Sequence, residues 1–153
     1  MKKLQEKDIA PDFILLGDDG KEYTLSSFLG KEVLIYFYPK DDTPGCTTEA
    51  CEIRDNYKEM ERLGLVVLGI SPDNTKSHGK FKTKYKLPFT LLSDTDHKVC
   101  ELYGVWAKKK FMGREYMGVL RSSFLIDKKG VIKKIYHEVK PKEHAKEVIE
   151  DVK

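Results

Sequence analysis

Pro39-Lys-Asp-Asp-Thr43-Pro-Gly-Cys46-Thr-Thr-Glu-Ala-Cys51 sets a cysteine just after a Pro-Gly turn and behind an apolar run, Val33-Leu-Ile-Tyr-Phe-Tyr38. The run shows no polar alternation, so it reads as a central strand covered on both faces. Pro39 ends it. From Thr47 to Met60 there is neither proline nor glycine, which predicts a helix from about Cys46 to Leu63 with Gly64 as terminator. Cys46 then falls in the first helical turn, where unpaired N–H groups and the positive end of the macrodipole favour a thiolate. A second thiol, Cys51, follows five residues later.

On either side of this segment, strand-like and helix-like stretches alternate. Phe13 to Leu16 and Lys21 to Leu25 flank the turn Gly17-Asp-Asp-Gly20 and predict an N-terminal hairpin. Ser26-Ser27 is placed to cap a short helical turn ending at Gly30. Leu65 to Ser71 is a second buried strand, and Ser71-Pro-Asp-Asn-Thr75 a loop and helix cap. Helix follows over Ser77 to Tyr85, strand over Phe89 to Leu92, and helix over His97 to Tyr103. Ser123 to Asp127 and Val131 to Tyr136 form a hairpin about Lys128-Lys-Gly130. A last helix runs from Pro141 to Val152, with Pro141 in its first turn. Trp106 and Lys108 to Gly113 read as surface loop. The pattern predicts one α/β domain over residues 1–153, with a mixed central sheet flanked by helices.

Composition narrows the function classes. The chain has 153 residues, and its net charge of +3 comes from basic and acidic residues that are interspersed. The one local basic cluster, Lys108-Lys-Lys110, is too short to serve as a nucleic-acid face. No stretch has the apolar length of a membrane span or of a signal peptide. Three cysteines, an odd number, suit a reducing compartment better than a disulfide framework. These features predict a cytoplasmic protein with neither membrane nor nucleic-acid partners. No nucleotide-binding glycine motif is present.

The spacing of the two thiols has a mechanical consequence. Residues five apart on an ideal helix are separated by about 7.5 Å along the axis and about 140° around it. Their Cα atoms then lie about 8–9 Å apart, beyond the reach of roughly 7 Å that a disulfide allows. Cys46 and Cys51 can bond only if the first turns unwind. Peroxide reduction uses such a two-state site: a thiolate takes one peroxide oxygen to become a sulfenic acid, and a second thiol condenses with it, releasing water.

The spacing Pro39-x-x-x-Thr43-x-x-Cys46 resembles the active-site signature of the peroxiredoxins, and Thr47-Thr-Glu-Ala-Cys51 is similar to the bacterioferritin-comigratory, or peroxiredoxin Q, branch. Ala10-Pro-Asp-Phe13, Gly69-Ile-Ser-Pro-Asp73 and Arg121-Ser-Ser-Phe-Leu-Ile-Asp127 extend the likeness in family order. The resemblance implies a thioredoxin-like fold and a peroxidase acting on hydrogen peroxide and organic hydroperoxides in antioxidant defence and redox homeostasis. It implies Cys46 as peroxidatic nucleophile, Cys51 as intrachain resolving thiol, Thr43 as hydroxyl to the peroxide, Pro39 as shield of the pocket, and Arg121 as stabiliser of thiolate and transition state. Thioredoxin or a similar dithiol would recycle the disulfide. No cofactor or metal is implied, and a monomer is expected. A peroxide-sensing redox switch with little turnover shares the first step and is the alternative reading.

Plainer roles are expected elsewhere. Cys100 reads as a core thiol, with a second role open as an alternative disulfide partner. Cys46, Cys51, His97 and Cys100 are metal ligands by type, but their spacing matches no zinc pattern. His78, His137 and His144 read as solvated side chains. Asp41-Asp42 need not converge on one point, and Glu49 reads as a residue that orients or solvates its helix.

Overall fold

The computed structural model describes residues 3–153. Among the described residues, nine strands and five α-helices follow in chain order: β1 Ile14–Gly17, β2 Glu22–Thr24, β3 Glu32–Phe37, α1 Pro44–Asp55, α2 Tyr57–Arg62, β4 Leu65–Ser71, α3 Thr75–Tyr85, β5 Thr90–Ser93, α4 Lys98–Leu102, β6 Trp106–Phe111, β7 Arg114–Val119, β8 Ser122–Ile126, β9 Ile132–Tyr136 and α5 His144–Val152. Seven strands form one sheet in the order β2-β1-β5-β4-β3-β8-β9, and β6 and β7 pair separately. β4 runs parallel to both β3 and β5, whereas β8 is antiparallel to β3, so the sheet is mixed. The N-terminal hairpin joins it through β1, antiparallel to β5.

The continuous apolarity of β3 follows from its interior place. Alternate side chains point to opposite faces of a strand. Leu34, Tyr36 and Tyr38 pack on one face with Cys46, Ala50 and Ile53 of α1, Met60 of α2, Phe81 of α3 and Val148 of α5. Val33, Ile35 and Phe37 pack on the other with Phe13, Val99, Cys100, Tyr103 and Phe124. Both faces are buried from Val33 onward, so no polar position is left there. Among the described residues no helix is long and apolar enough to cross a membrane.

Several expectations are corrected. The helix expected over Cys46 to Leu63 begins at Pro44 and is divided at Asn56. Pro44 occupies the first helical position, where a missing N–H costs nothing, and the Asn56 side-chain amide bonds the Glu52 carbonyl at 2.8 Å, competing with the backbone ladder. The short turn after β2 is a 3-10 helix, Leu25–Phe28, capped by Thr24 and not by Ser26-Ser27. Helix α5 begins at His144, later than Pro141.

The segment from Trp106 to Gly113 is not a loop. It is β6 and the turn of a hairpin that pairs Trp106 with Val119 and Phe111 with Arg114. The turn residues Met112 and Gly113 both have positive φ, 52° and 80°, the geometry that matches the twist of paired strands. Its side chains are mostly exposed on both faces, so the sequence lacks the alternation that marks a half-buried strand.

Gly69 in β4 tests the closeness of this packing. A Cβ there would lie 2.9 Å from Leu91 Cδ2 and from Tyr36 Cζ and Oη. Two buried side chains would have to move. Gly69→Ala is expected to lower unfolding free energy by about 1–3 kcal/mol, measured by urea denaturation with an unchanged m-value.

Candidate active site

Strand β3 delivers the chain to Pro39, half-buried at its end, and the loop to Thr43 turns it into α1. Thr43 is the N-cap in extended backbone geometry, yet its side chain does not cap the helix. Its hydroxyl donates instead to the Lys40 carbonyl at 2.8 Å. Cys46 is the third helical residue and is 2% exposed. Its sulfur therefore lies at the positive end of α1, as the sequence predicts.

Arg121 comes to the same place from the far side of the chain. Its Nη2 donates to Cys46 Sγ at 3.3 Å and its Nη1 to Glu49 Oε1 at 2.7 Å. One guanidinium thus binds the sulfur and a carboxylate that stands one turn further along α1. Gly45 makes room for it, since a Cβ there would lie 3.0 Å from Nη2. Glu49 does not solvate its helix. It is 1% exposed, and its Oε2 has no hydrogen-bond partner among the described residues.

Cys51 lies on the same helix, half-buried, and its thiol is free. Burial pushes its pKa up, with Arg54 opposing. The two thiols thus differ in setting: Cys46 faces a guanidinium, whereas burial disfavours the thiolate of Cys51. With α1 intact, helix geometry keeps the pair about 8–9 Å apart. Cys100 is fully buried in the cluster on the opposite face from Cys46. Burial and the adjacent Asp94 raise its pKa far above the usual thiol range.

The set Cys46, Cys51, His97 and Cys100 is not assembled. His97 stacks on Trp106 at 4.1 Å. Among the described residues, the one group of ligand atoms spaced for a cation is Asp41, Asp73 and His78. Asp41 and Asp42 diverge: Asp41 turns inward to His78 at 2.7 Å, and Asp42 bonds Lys84 Nζ and Tyr85 Oη on α3, each at 2.7 Å.

Two histidines expected at the surface are buried. His78 is 0% exposed and His144 1%, whereas His137 is exposed. His144 pairs with Ser123 Oγ at 2.7 Å and Glu147 Oε1 at 3.1 Å, and burial lowers its pKa. Their neighbours in sequence are lysines and glutamates, so composition concealed their burial. A helical-spacing test would have flagged Glu49, three residues after Cys46 and on its face.

Burial pushes the Glu49 carboxyl up to about 7, with Arg121 opposing. A carboxyl raised in the folded state contributes stability that is full below its unfolded pKa and is lost as pH rises through the folded value. Relative to Glu49→Gln, wild type is therefore expected to lose unfolding free energy as pH rises from about 4.5 to about 7. Paired urea titrations across that range check this, and a constant difference would refute it.

The AhpC/TSA family model matches residues 7–135. The chain is 51% identical to Peroxiredoxin Bcp of Bacillus subtilis over 144 residues, covering 94% of this chain and 92% of the relative. It is 49% identical to Peroxiredoxin Bcp of Escherichia coli with the same coverage. Among solved structures, a cysteine-to-serine mutant of Xylella fastidiosa PrxQ superposes with TM-score 0.92 at 31% identity, covering 99% of this chain and 97% of that one. The Xanthomonas campestris bacterioferritin comigratory protein, whose structure is described as addressing its alkyl peroxide reduction activity, gives 0.87 at 35% identity, covering 92% and 89%. With this thioredoxin-like fold and these relatives, the chain belongs to the AhpC/TSA family as a peroxiredoxin, a thiol peroxidase of the Q or Bcp branch.

Proposed function

We propose that Cys46 is the peroxidatic nucleophile, that Cys51 resolves it within the same chain, and that Arg121, Thr43 and Pro39 form the peroxide pocket. The observation that carries this reading is the Arg121 guanidinium set 3.3 Å from Cys46 Sγ and oriented by Glu49. The Cys46 thiolate attacks the terminal oxygen of the hydroperoxide. The S–O bond forms as the O–O bond breaks, and the departing oxygen takes a proton to leave as water or alcohol. Arg121 donates hydrogen bonds where negative charge passes from sulfur to oxygen. The Thr43 hydroxyl has its hydrogen committed to Lys40, so its lone pairs are free to accept the O–H of the peroxide. Pro39 closes the pocket at the end of β3.

The sulfenic acid then condenses with the Cys51 thiol as α1 unwinds. Water leaves and the disulfide forms. Thioredoxin or a similar dithiol reduces that disulfide, giving up two thiol hydrogens and becoming a disulfide itself. Both sulfurs come from one helix, so a monomer in the cytoplasm suffices, as one folded domain acting on hydrogen peroxide and small organic hydroperoxides. Alkyl peroxide reduction in the Xanthomonas campestris relative supports the wider substrate class.

Peroxide consumption over many turnovers with thioredoxin and its reductase tests the scheme. Wild type is expected to sustain turnover and Cys46→Ser to show none. Cys51→Ser should consume one peroxide per chain, stop, and form no intramolecular disulfide. Arg121→Ala should lower the second-order rate by about 10²-fold or more. An intramolecular disulfide in Cys51→Ser would assign resolution to Cys100, and a single turnover by wild type would support the sensor reading.

A further inference from the structure

Outside the cysteine pocket, the most heavily bonded group is Asp41. It lies in the loop between β3 and α1, two residues after Pro39 and two before Thr43. Its side chain is 4% exposed. Oδ1 accepts from Tyr38 Oη at 2.6 Å, and Oδ2 accepts from Ser77 Oγ at 2.8 Å and bonds His78 Nδ1 at 2.7 Å. The Asp41 amide donates to Asp73 Oδ2 at 2.8 Å, and that oxygen also accepts from Ser71 Oγ at 2.6 Å. The other ring nitrogen of His78 lies 2.9 Å from the Leu92 carbonyl. A carbonyl only accepts, so His78 Nε2 carries a hydrogen, and one further proton is shared between Nδ1 and Asp41. The acidic-basic cluster is thus filled by its own hydrogen bonds. Its partners sit just after β3, on β4 and the loop that follows it, on α3 and on β5, none of which belongs to the segment that must unwind.

The geometry points to Asp41 and His78 as a positioning pair for the peroxide reaction: they anchor the loop Pro39–Thr43, so that unwinding of α1 stops at Thr43. This rests on the assignment of Cys46 and Cys51 proposed above. Disulfide formation needs only the stretch between Thr43 and Cys51 to open. Helix α1 has no side-chain cap at its start, and glycine occupies its second position. Nothing within the helix start prevents opening from spreading upstream into the residues that shape the pocket. The buried pair supplies that stop. Asp41 holds the loop from inside, and Asp42, in left-handed geometry with φ 58°, holds it to α3 from outside. When reduction allows α1 to rewind, Pro39 and Thr43 are already in place. Glu49 and Arg121 cannot do this, since Glu49 moves with the unwinding helix.

Hydrogen exchange at the Asp41 amide tests this directly, comparing the reduced protein with the Cys46–Cys51 disulfide formed by diamide. In wild type the Asp41 amide is expected to stay protected in both states, while amides from Thr47 to Cys51 lose protection in the disulfide state. His78→Leu should expose Asp41 in the disulfide state and slow Cys46 oxidation by hydrogen peroxide about tenfold or more. The rate of the later condensation with Cys51 should stay within about twofold. His78→Asn, whose amide nitrogen replaces Nδ1 as donor to Asp41, should restore both protection and rate. If His78→Leu does not fold, Asp41→Asn carries the same comparison. Unchanged Asp41 exchange, an equal loss in both chemical steps, or no recovery in His78→Asn would overturn the pair. Absence of any peroxide reaction at wild-type Cys46 would instead overturn the peroxidase assignment, and the exchange data would still decide the role of the pair.

Discussion

The contact of Arg121 with Cys46 sets the demand that the rest of the fold answers. It joins side chains 75 residues apart, and the sheet makes that separation irrelevant. β8 pairs antiparallel with β3 so that Ser122 faces Phe37. Arg121, one residue before β8, and Tyr38, one after β3, therefore emerge at the same end of the sheet. The loop after Tyr38 returns at once into α1, which carries the sulfur to that end. A one-residue slip between β3 and β8 would turn Arg121 to the opposite face. The buried, unbroken apolar run of β3 fixes the register, since both faces of the strand are packed.

The pocket is not arranged for stability alone. Glu49 and Arg121 form an ion pair in which the carboxylate is almost fully buried, a type of interaction whose desolvation cost rivals its attraction. Glu49 Oε2 and the hydroxyl of Tyr36 are both buried without partners among the described residues, each costing about 1–3 kcal/mol. Helix α1 starts without a side-chain cap and is interrupted at Asn56. A helix with these features opens locally at lower cost than the sheet beneath it. The proposed chemistry uses that difference: the sulfur is held by Arg121 in one step and released toward Cys51 in the next.

Legibility in the sequence followed packing type. β3 and β4 were readable because burial on two faces acts through residue type alone, whereas Pro44 and Gly45, which read as a turn, are the first two residues of α1. Glu49, His78 and His144 were not readable. Each is a polar residue of a type usually solvated, and what buries it lies far along the chain: Arg121 for Glu49, Asp41 for His78, Ser123 for His144. The hairpin of β6 and β7 was missed for the converse reason. Its strands are held by backbone pairing with few buried side chains, so no hydrophobic period was written into Lys108-Lys-Lys110. The motif residues Pro39, Thr43, Cys46 and Arg121 were found through family likeness, whereas the clamp on the loop that carries the first two became visible only in three dimensions.

The three cysteines show why environment and not residue type decides chemistry. Cys46 has a guanidinium and the first turn of a helix beside its sulfur. Cys51 is half-buried on the same helix, and burial pushes its pKa up. Cys100 is sealed beneath the opposite face of the sheet next to the Asp94 carboxylate, whose negative charge opposes thiolate formation. Reaching Cys46 from there would require passage through the packed strands of the sheet, whereas reaching it from Cys51 requires only that two turns of one uncapped helix come apart. If Cys46 is the thiol oxidised, the lower conformational cost favours Cys51 as its partner, because the sheet places Cys100 on the other side and the helix places Cys51 within a short unwinding.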